Sequence, residues 1–326
     1  MSVPSNTYQT YSQNAIREDM INAIYNVDPF KTPLLNMAKK TKATQGNHEW
    51  NTDTLAAQDL TNALIEGDDP TSASLSATTR LGNYVQTSTK TIQISGKSQA
   101  VNAAGDTNTM GYQLLKASKA LKRDMEGILT YNRAKAVGSA GTAAVLGGLP
   151  CWLGSNTVFL TTGTVAGADP GTLNGAYART YNSDGTNATT TALTEAMIKT
   201  MLQNVYTNSG ECPEYGLVSP TNKQAISGFA GPGTRFVEVQ DKVLQTAVDV
   251  YQSDFGDVKI IPDIFLANSA DCFFVNPNYM RVAYLRPFQT VPLAKTGDSD
   301  KKMLLVDFTL EVGNEKAHGA IYDTAG

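Results

Sequence analysis

Apolar positions along the chain follow two periods. In residues 109–136, Met110, Leu114, Leu121, Met125 and Ile128 recur every three or four positions, the spacing of one helix face. Asp106 to Asn108 offer caps before this run and Gly138 a stop after it. The pattern predicts a helix about 40 Å long at 1.5 Å per residue, with Lys116, Lys119, Lys122 and Glu126 on its polar side. A shorter helix is predicted in "AIREDMINAIYNV", where Ile16, Met20, Ile21, Ile24 and Val27 share a face. Asp28-Pro29 stops it. The residues before it, "MSVPSNTYQTYSQ", are polar and read as extended, so 1–45 is expected to be an arm with one sticky face.

Period two appears elsewhere. "NHEWNTDTLA" (47–56) reads as a strand, and "YVQTSTKTIQISGKSQAV" (84–101) as one or two more. There Ile92 and Ile94 share one face, with Thr91, Gln93 and Ser95 on the other. Between them lies a long Ser/Thr/Ala-rich stretch poor in large apolar residues. Such a loop is unusual inside a compact domain. The expected object is a projecting two-stranded flap, which is marginal in water unless it rests on another surface.

After "GGLPCWLGSN" the composition shifts. Residues 161–192 are rich in Thr, Gly, Ala and Asn and read as loop, including an accidental Asn187-Ala188-Thr189 sequon. A compact α/β portion follows. Leu193 and Ile198 bracket a Thr194 N-cap as a hydrophobic staple, Met197, Met201, Leu202 and Val205 form the buried stripe, and Gly210 ends the helix. "YGLVSPTNKQAISGF" reads as strand, Ser219 cap, Pro220 at the first helical position, short helix, and Gly228 stop. Two strands flank Asp254-Phe255-Gly256. "DCFFVNPNYMRVAYLRPF" and "KMLLVDFTLEVGNEKAHGAI" supply the last strands, the latter alternating through Leu305, Asp307, Thr309 and Glu311.

At 326 residues and 41% hydrophobic residues, the chain buries a real core in one large or two modest domains. Only 17% of residues are charged and the net charge is −4. No basic domain is present to grip nucleic acid. The densest basic spot, Lys39, Lys40 and Lys42, reads as a solvated cluster. Three separated cysteines, Cys151, Cys212 and Cys272, fit a reducing compartment. The start is polar and no apolar run approaches a membrane span. The chain therefore reads as soluble and intracellular when made.

Reactive groups are scarce. The two histidines, His48 and His318, have no partners at metal-ligand spacing, and His48 reads as an ordinary strand neighbour of Glu49. GxSxG, HExxH and GxxxxGK[ST] are absent. "GPGTRF" (231–236) carries a lone GxG, read as loop, and Asp254-Phe255-Gly256 lacks the other parts of a kinase site. "PLAKTGDSDKK" (292–302) contains Lys-Thr-Gly, yet an alternating strand follows where a phosphate loop needs a helix N-terminus. Asp298 and Asp300 would also repel an anion. It reads as a turn with Gly297 at positive φ, displaying both charge signs. No catalytic, cofactor or metal residue is predicted.

The order of these pieces resembles the HK97-type fold of tailed-bacteriophage major capsid proteins. "EWNTDTLA" with "NALIEGDD", then "QISGKSQAV", "KALKRDMEGIL", "VDVYQSDFGDVKIIPD", "YLRPFQTVPLAKTGDSDKK" and "TLEVGNEKAHGAI" are similar to one phage and prophage head-protein family. The resemblance runs from about Gln45 to the C-terminus. It implies an α+β fold with an N-terminal arm (1–45), an extended E-loop hairpin (46–100), a P-domain (101–150 and 276–326, with a spine helix over 105–138) and an α/β A-domain (151–275).

The resemblance also implies a function: a structural subunit, not an enzyme, assembling into hexamers and pentamers of an icosahedral head around double-stranded DNA. An encapsulin-like or other self-assembling shell is the alternative. An enzyme built on 193–326 is poorly supplied with chemistry. Its implied partners are other copies, portal, scaffold and decoration proteins, and weakly held packaged DNA, with no membrane and no cofactor. Expected inter-subunit contacts are Trp50, Lys90, Ile92, Ile94 and Lys97 in the E-loop region, and Lys295, Asp298, Lys301 and Lys302 in the charged turn. Some capsid proteins of this fold cross-link an E-loop lysine to a neighbour's asparagine. Lys90 and Lys97 lie in the right part of the chain, but no motif fixes the asparagine or the catalytic acid, so cross-linking is not predicted.

Overall fold

The structure, a computed structural model, describes residues 31–63, 65–67, 69, 75, 77–100, 109–159, 175, 192–229, 249–266, 271–322 and 324. The helix expected over 15–27, the caps at 106–108, the loop at 161–192 apart from residues 175 and 192, and the GxG at 231–236 fall outside them.

Two sheets and one long helix form the body. A four-stranded sheet has the order β1-β10-β11-β4, from β1 (Lys39–Lys42), β10 (Met280–Pro292), β11 (Ser299–Val312) and β4 (Gln86–Ser95). β10, β11 and β4 are antiparallel neighbours, and β1 pairs in parallel with β10. The spine helix, α3 (Thr109–Thr130), crosses one face. Its Leu121, Met125 and Leu129 are fully buried against Leu304, Val306 and Phe308 of β11. The other face of β4 carries Thr87, Thr89, Thr91, Gln93 and Ser95, all exposed, so Ile92 and Ile94 turn inward as their alternation predicts.

The six-stranded sheet has the order β5-β12-β9-β6-β8-β7, from β5 (Thr157–Phe159), β12 (Gly319–Tyr322), β9 (Cys272–Val275), β6 (Tyr215–Val218), β8 (Gly256–Pro262) and β7 (Val250–Ser253). One face, with Leu217, Phe273, Val275 and Tyr322, joins the spine-helix core. The other, with Val218, Phe274 and Ile321, packs on Ile198, Met201, Leu202 and Val205 of α4 (Glu195–Ser209). The helices here end where the sequence places them. Gly210 closes α4, though the Thr194 hydroxyl makes no capping bond. In α5 (Pro220–Ser227) the Ser219 hydroxyl does cap, accepting from the Asn222 N–H at 3.2 Å.

Several expectations need correction. Part of the expected arm is built into the body: α1 (Pro33–Met37) docks on the spine helix and β1 is a sheet edge. The lysines of β1 suit an edge, since charge there discourages further pairing. The strand expected over 47–56 stops sooner, as β2 (Asn47–Thr52), and its partner is β3 (Thr79–Tyr84). The 84–101 run is not the flap's return: β4 pairs with β11, and α2 (Gly96–Ala100) follows it. The spine helix ends at Thr130, not near 136, for a length of about 33 Å. Beyond it the chain folds back, with bridges Ala136 to Val145 and Ser139 to Thr142, so the apolar positions after 130 leave the helical stripe. Gly148 then packs on the Tyr131 carbonyl so closely that a Cβ would overlap it. The C-terminal block 276–326 also divides, because β12 belongs to the six-stranded sheet.

Candidate subunit interface

The flap is anchored at its base. β2 and β3 run antiparallel from Asn47 opposite Tyr84 to Thr52 opposite Thr79. Asn83, fully buried, acts as a clamp: its oxygen accepts the Gly147 N–H at 2.8 Å, and its amide donates to the carbonyls of Gly147 (3.2 Å) and Leu310 (2.9 Å). His48 Nε2 meets Glu311 Oε2 at 3.0 Å, and Glu311 also accepts from Arg281 at 2.8 Å. Trp50 packs on Trp152 with centroids 5.2 Å apart. Lys135 lies 5.3 Å from the centroid of the Trp152 ring and donates to the Gly82 carbonyl at 2.5 Å. Burial depresses the Lys135 pKa, opposed by the charge of Glu49. In the sequence His48 stands beside Glu49 as an ordinary strand neighbour. Its actual partner lies across the fold, and no local signal marks it.

Past Thr52 the character changes. Leu55, Leu60, Ile65 and Leu75 are 99%, 84%, 77% and 94% exposed. Scattered exposed leucines are ordinary; these four fall within 21 residues of one segment. Residues 53–78 carry five acids, Asp53, Asp59, Glu66, Asp68 and Asp69, and no basic residue. The spine helix has the opposite sign, with Lys116, Lys119, Lys122 and Arg123 along it and Leu115 55% exposed. Beside its last turns a groove of about 440 Å³ runs between Ser88 and Thr89 of β4 and Asp124, Ile128 and Tyr131.

The charged turn is a compact unit. Gly297 takes the left-handed φ of +73° expected of it. Lys295 pairs with Asp300 at 2.5 Å, which raises the lysine's pKa and lowers the carboxyl's. Lys301 donates to the Thr296 hydroxyl. The Asp298 carbonyl accepts the Gly96 N–H at 3.1 Å, and Gln99 donates to Asp300 at 3.3 Å. The turn therefore leans on α2, which carries the exposed Lys97.

The nine expected contact residues thus separate. Lys97, Lys295, Asp298, Lys301 and Lys302 gather at one end of the four-stranded sheet. Lys90 pairs with Asp124 of the spine helix at 2.7 Å. Ile94 is buried, Ile92 is half-buried, and Trp50 faces Trp152 at the flap base.

Among the described residues no three His, Cys, Asp or Glu side chains gather to hold a metal. Burial pushes the Cys272 thiol up to about 12, leaving little thiolate at neutral pH. His318 is buried, its Nδ1 accepting the Asn276 N–H at 3.1 Å. Among the described residues no helix is long and apolar enough to cross a membrane.

Known proteins resemble the chain over nearly its whole length. A family model described as SU10 major capsid protein matches residues 3–325. The major capsid protein of Escherichia phage Phieco32 is 26% identical over 346 residues, covering 98% of this chain and 97% of that one. The capsid asymmetric unit of cyanophage A-1(L) superposes with a TM-score of 0.62 at 14% identity, covering 98% and 99% of the two chains. The SrpI encapsulin of Synechococcus elongatus superposes with a TM-score of 0.55 at 10% identity, covering 95% and 92%. The two structural likenesses show the fold, the HK97-type α+β fold that the sequence resembles.

Proposed function

From the premise that this chain belongs to the SU10 major capsid protein family, and is thus a structural subunit of a tailed-phage head rather than an enzyme, we propose how its copies meet. Hexamers and pentamers form by laying residues 53–78 of one copy across the spine helix of the next. The observation that carries this reading is the four exposed apolar side chains on a segment of uniform negative charge. The basic residues of α3 supply the complement. Electrostatic complementarity of this kind fixes register and speeds encounter more than it adds affinity. Weak contacts then sum, because each neighbour already bound raises the effective concentration of the rest.

The second contact is the charged turn with Lys97, Lys295, Asp298, Lys301 and Lys302. It presents both signs, as a surface meeting a copy of itself or of α2 requires. Trp50, Lys90, Ile92 and Ile94 serve the interface from within the subunit, by holding the flap base and β4 on the body. Portal, scaffold and decoration proteins are the further partners. A net charge of −4 supports only weak, non-specific contact with packaged DNA.

Excising residues 55–76 and joining the ends with a short glycine-serine link tests the reading. The expected product is a folded subunit, with native circular dichroism and melting, that forms no closed shells. Normal shells from that variant would overturn it.

A further inference from the structure

Three segments meet around two buried carboxyl groups. Glu126 of α3 is fully buried, and its two oxygens accept the N–H groups of Leu34 (2.6 Å) and Leu35 (2.8 Å) at the start of α1. Asp263, also fully buried, sits before the short 3-10 turn Ile264–Leu266 that packs on the same helix. One Asp263 oxygen accepts the Phe265 N–H at 2.9 Å. The other has no hydrogen-bond partner among the described residues.

The charge around Glu126 is unbalanced. α1 brings no titratable side chain. The nearest basic residue on its own helix, Arg123, has its guanidinium 5.9 Å from the Phe265 ring centroid. No cation pairs with Glu126 among the described residues. The surrounding side chains, Leu34, Leu35, Met125, Leu129 and Leu266, are apolar. An ionised carboxylate held this way costs free energy that a protonated one does not.

We propose that Glu126 is a proton-linked latch, holding α1 and with it the root of the N-terminal segment against the spine helix when protonated and loosening it when ionised. In the docked state burial pushes its pKa up to about 8; the charge of Asp263 pushes the same way, and the two amide donors pull back. Once α1 lifts away, water reaches the carboxyl and its pKa falls toward the ordinary value of 4.5. Lifting therefore releases a proton at any pH between those values, and rising pH favours it. This inference is independent of how neighbouring subunits touch.

Hydrogen exchange at the Leu34 and Leu35 amides of the full-length protein reads the latch directly. Corrected for intrinsic exchange, the opening constant should rise by about tenfold per unit between pH 5 and 7 and level off above about 8. Glu126→Gln should abolish the slope. Asp263→Asn, which removes the neighbouring charge while leaving Glu126 in place, should move the plateau to lower pH. An opening constant flat from pH 5 to 9, or an unchanged slope in Glu126→Gln, would overturn the latch. Should Glu126→Gln fail to fold, an unmoved plateau in Asp263→Asn would do the same.

Discussion

The side-chain amide of Asn83 and the backbone of Gly147 pair like two peptide groups, at 2.8 and 3.2 Å. This pairing joins the flap's return strand to the segment that follows the spine helix. It makes the flap base part of the folded body, while Leu55, Leu60, Ile65 and Leu75 beyond it are exposed.

Asn83→Ala removes that clamp: the Gly147 N–H loses its acceptor, and the Leu310 and Gly147 carbonyls each lose a donor, the latter keeping the Trp152 indole N–H at 3.2 Å. Each orphaned group costs about 1–3 kcal/mol. Chemical denaturation of the unassembled subunit should show a loss of about 3 kcal/mol. A change under about 0.5 kcal/mol would mean that the clamp is not needed.

Gly148→Ala should destabilise for a different reason. Its Cβ would overlap the Tyr131 carbonyl oxygen, a backbone atom with no rotamer to escape into. Overpacking of this kind costs about 1–3 kcal/mol. Gly141→Ala is the control, because a Cβ there meets nothing within 4 Å; it should leave the melting temperature unchanged.

His318 makes stability depend on pH at the acid end. Burial lowers its pKa from 6.5 to about 4. Its folded value lies below its unfolded one, so the unfolded chain binds the proton first. The stability it contributes is complete above pH 6.5 and drains away as pH falls toward 4. In His318→Asn the side-chain oxygen can take over the bond from Asn276, and the loss between pH 6.5 and 5 should be smaller than in the native protein. Equal losses in the two proteins would contradict this.

Charge on the flap should matter for assembly and not for folding. Asp59 and Glu66 are exposed, so Asp59→Lys with Glu66→Lys should leave subunit melting unchanged and reduce shell yield. Exposed pairs contribute at most about 1 kcal/mol each, so the effect should be largest at low salt. Adding Lys116→Glu and Lys122→Glu to the same chain should restore yield. No restoration would place the flap's partner elsewhere.

What the sequence made legible followed from local chemistry. The α4 stripe and its Gly210 stop, the Ser219 cap before Pro220, and the inward Ile92 and Ile94 all depend on neighbours within a few residues. Thr79–Tyr84 was hidden because "TRLGNY" has weak strand character and becomes a strand only by pairing with Asn47–Thr52. Lys39–Lys42 was hidden in the same way: its lysines spell a solvated cluster until Arg281–Tyr284 is placed beside them. The spine helix was read too long because Ala134, Ala136 and Val137 keep good helix composition after Tyr131, where the packing of Gly148 breaks the pattern. The charged turn with its left-handed Gly297 follows from its sequence, and the length and composition of 53–78 mark a segment foreign to a compact core, while its few apolar residues carry no periodic signal. Their meaning lies in their exposure.

Electron cryomicroscopy of shells assembled from the full-length protein tests the central claim most directly. The account predicts density for residues 53–78 lying along the spine helix of an adjacent subunit, with Leu55, Leu60, Ile65 and Leu75 covered. Density showing that segment folded back on its own subunit, or standing clear of every neighbour in closed shells, would contradict it.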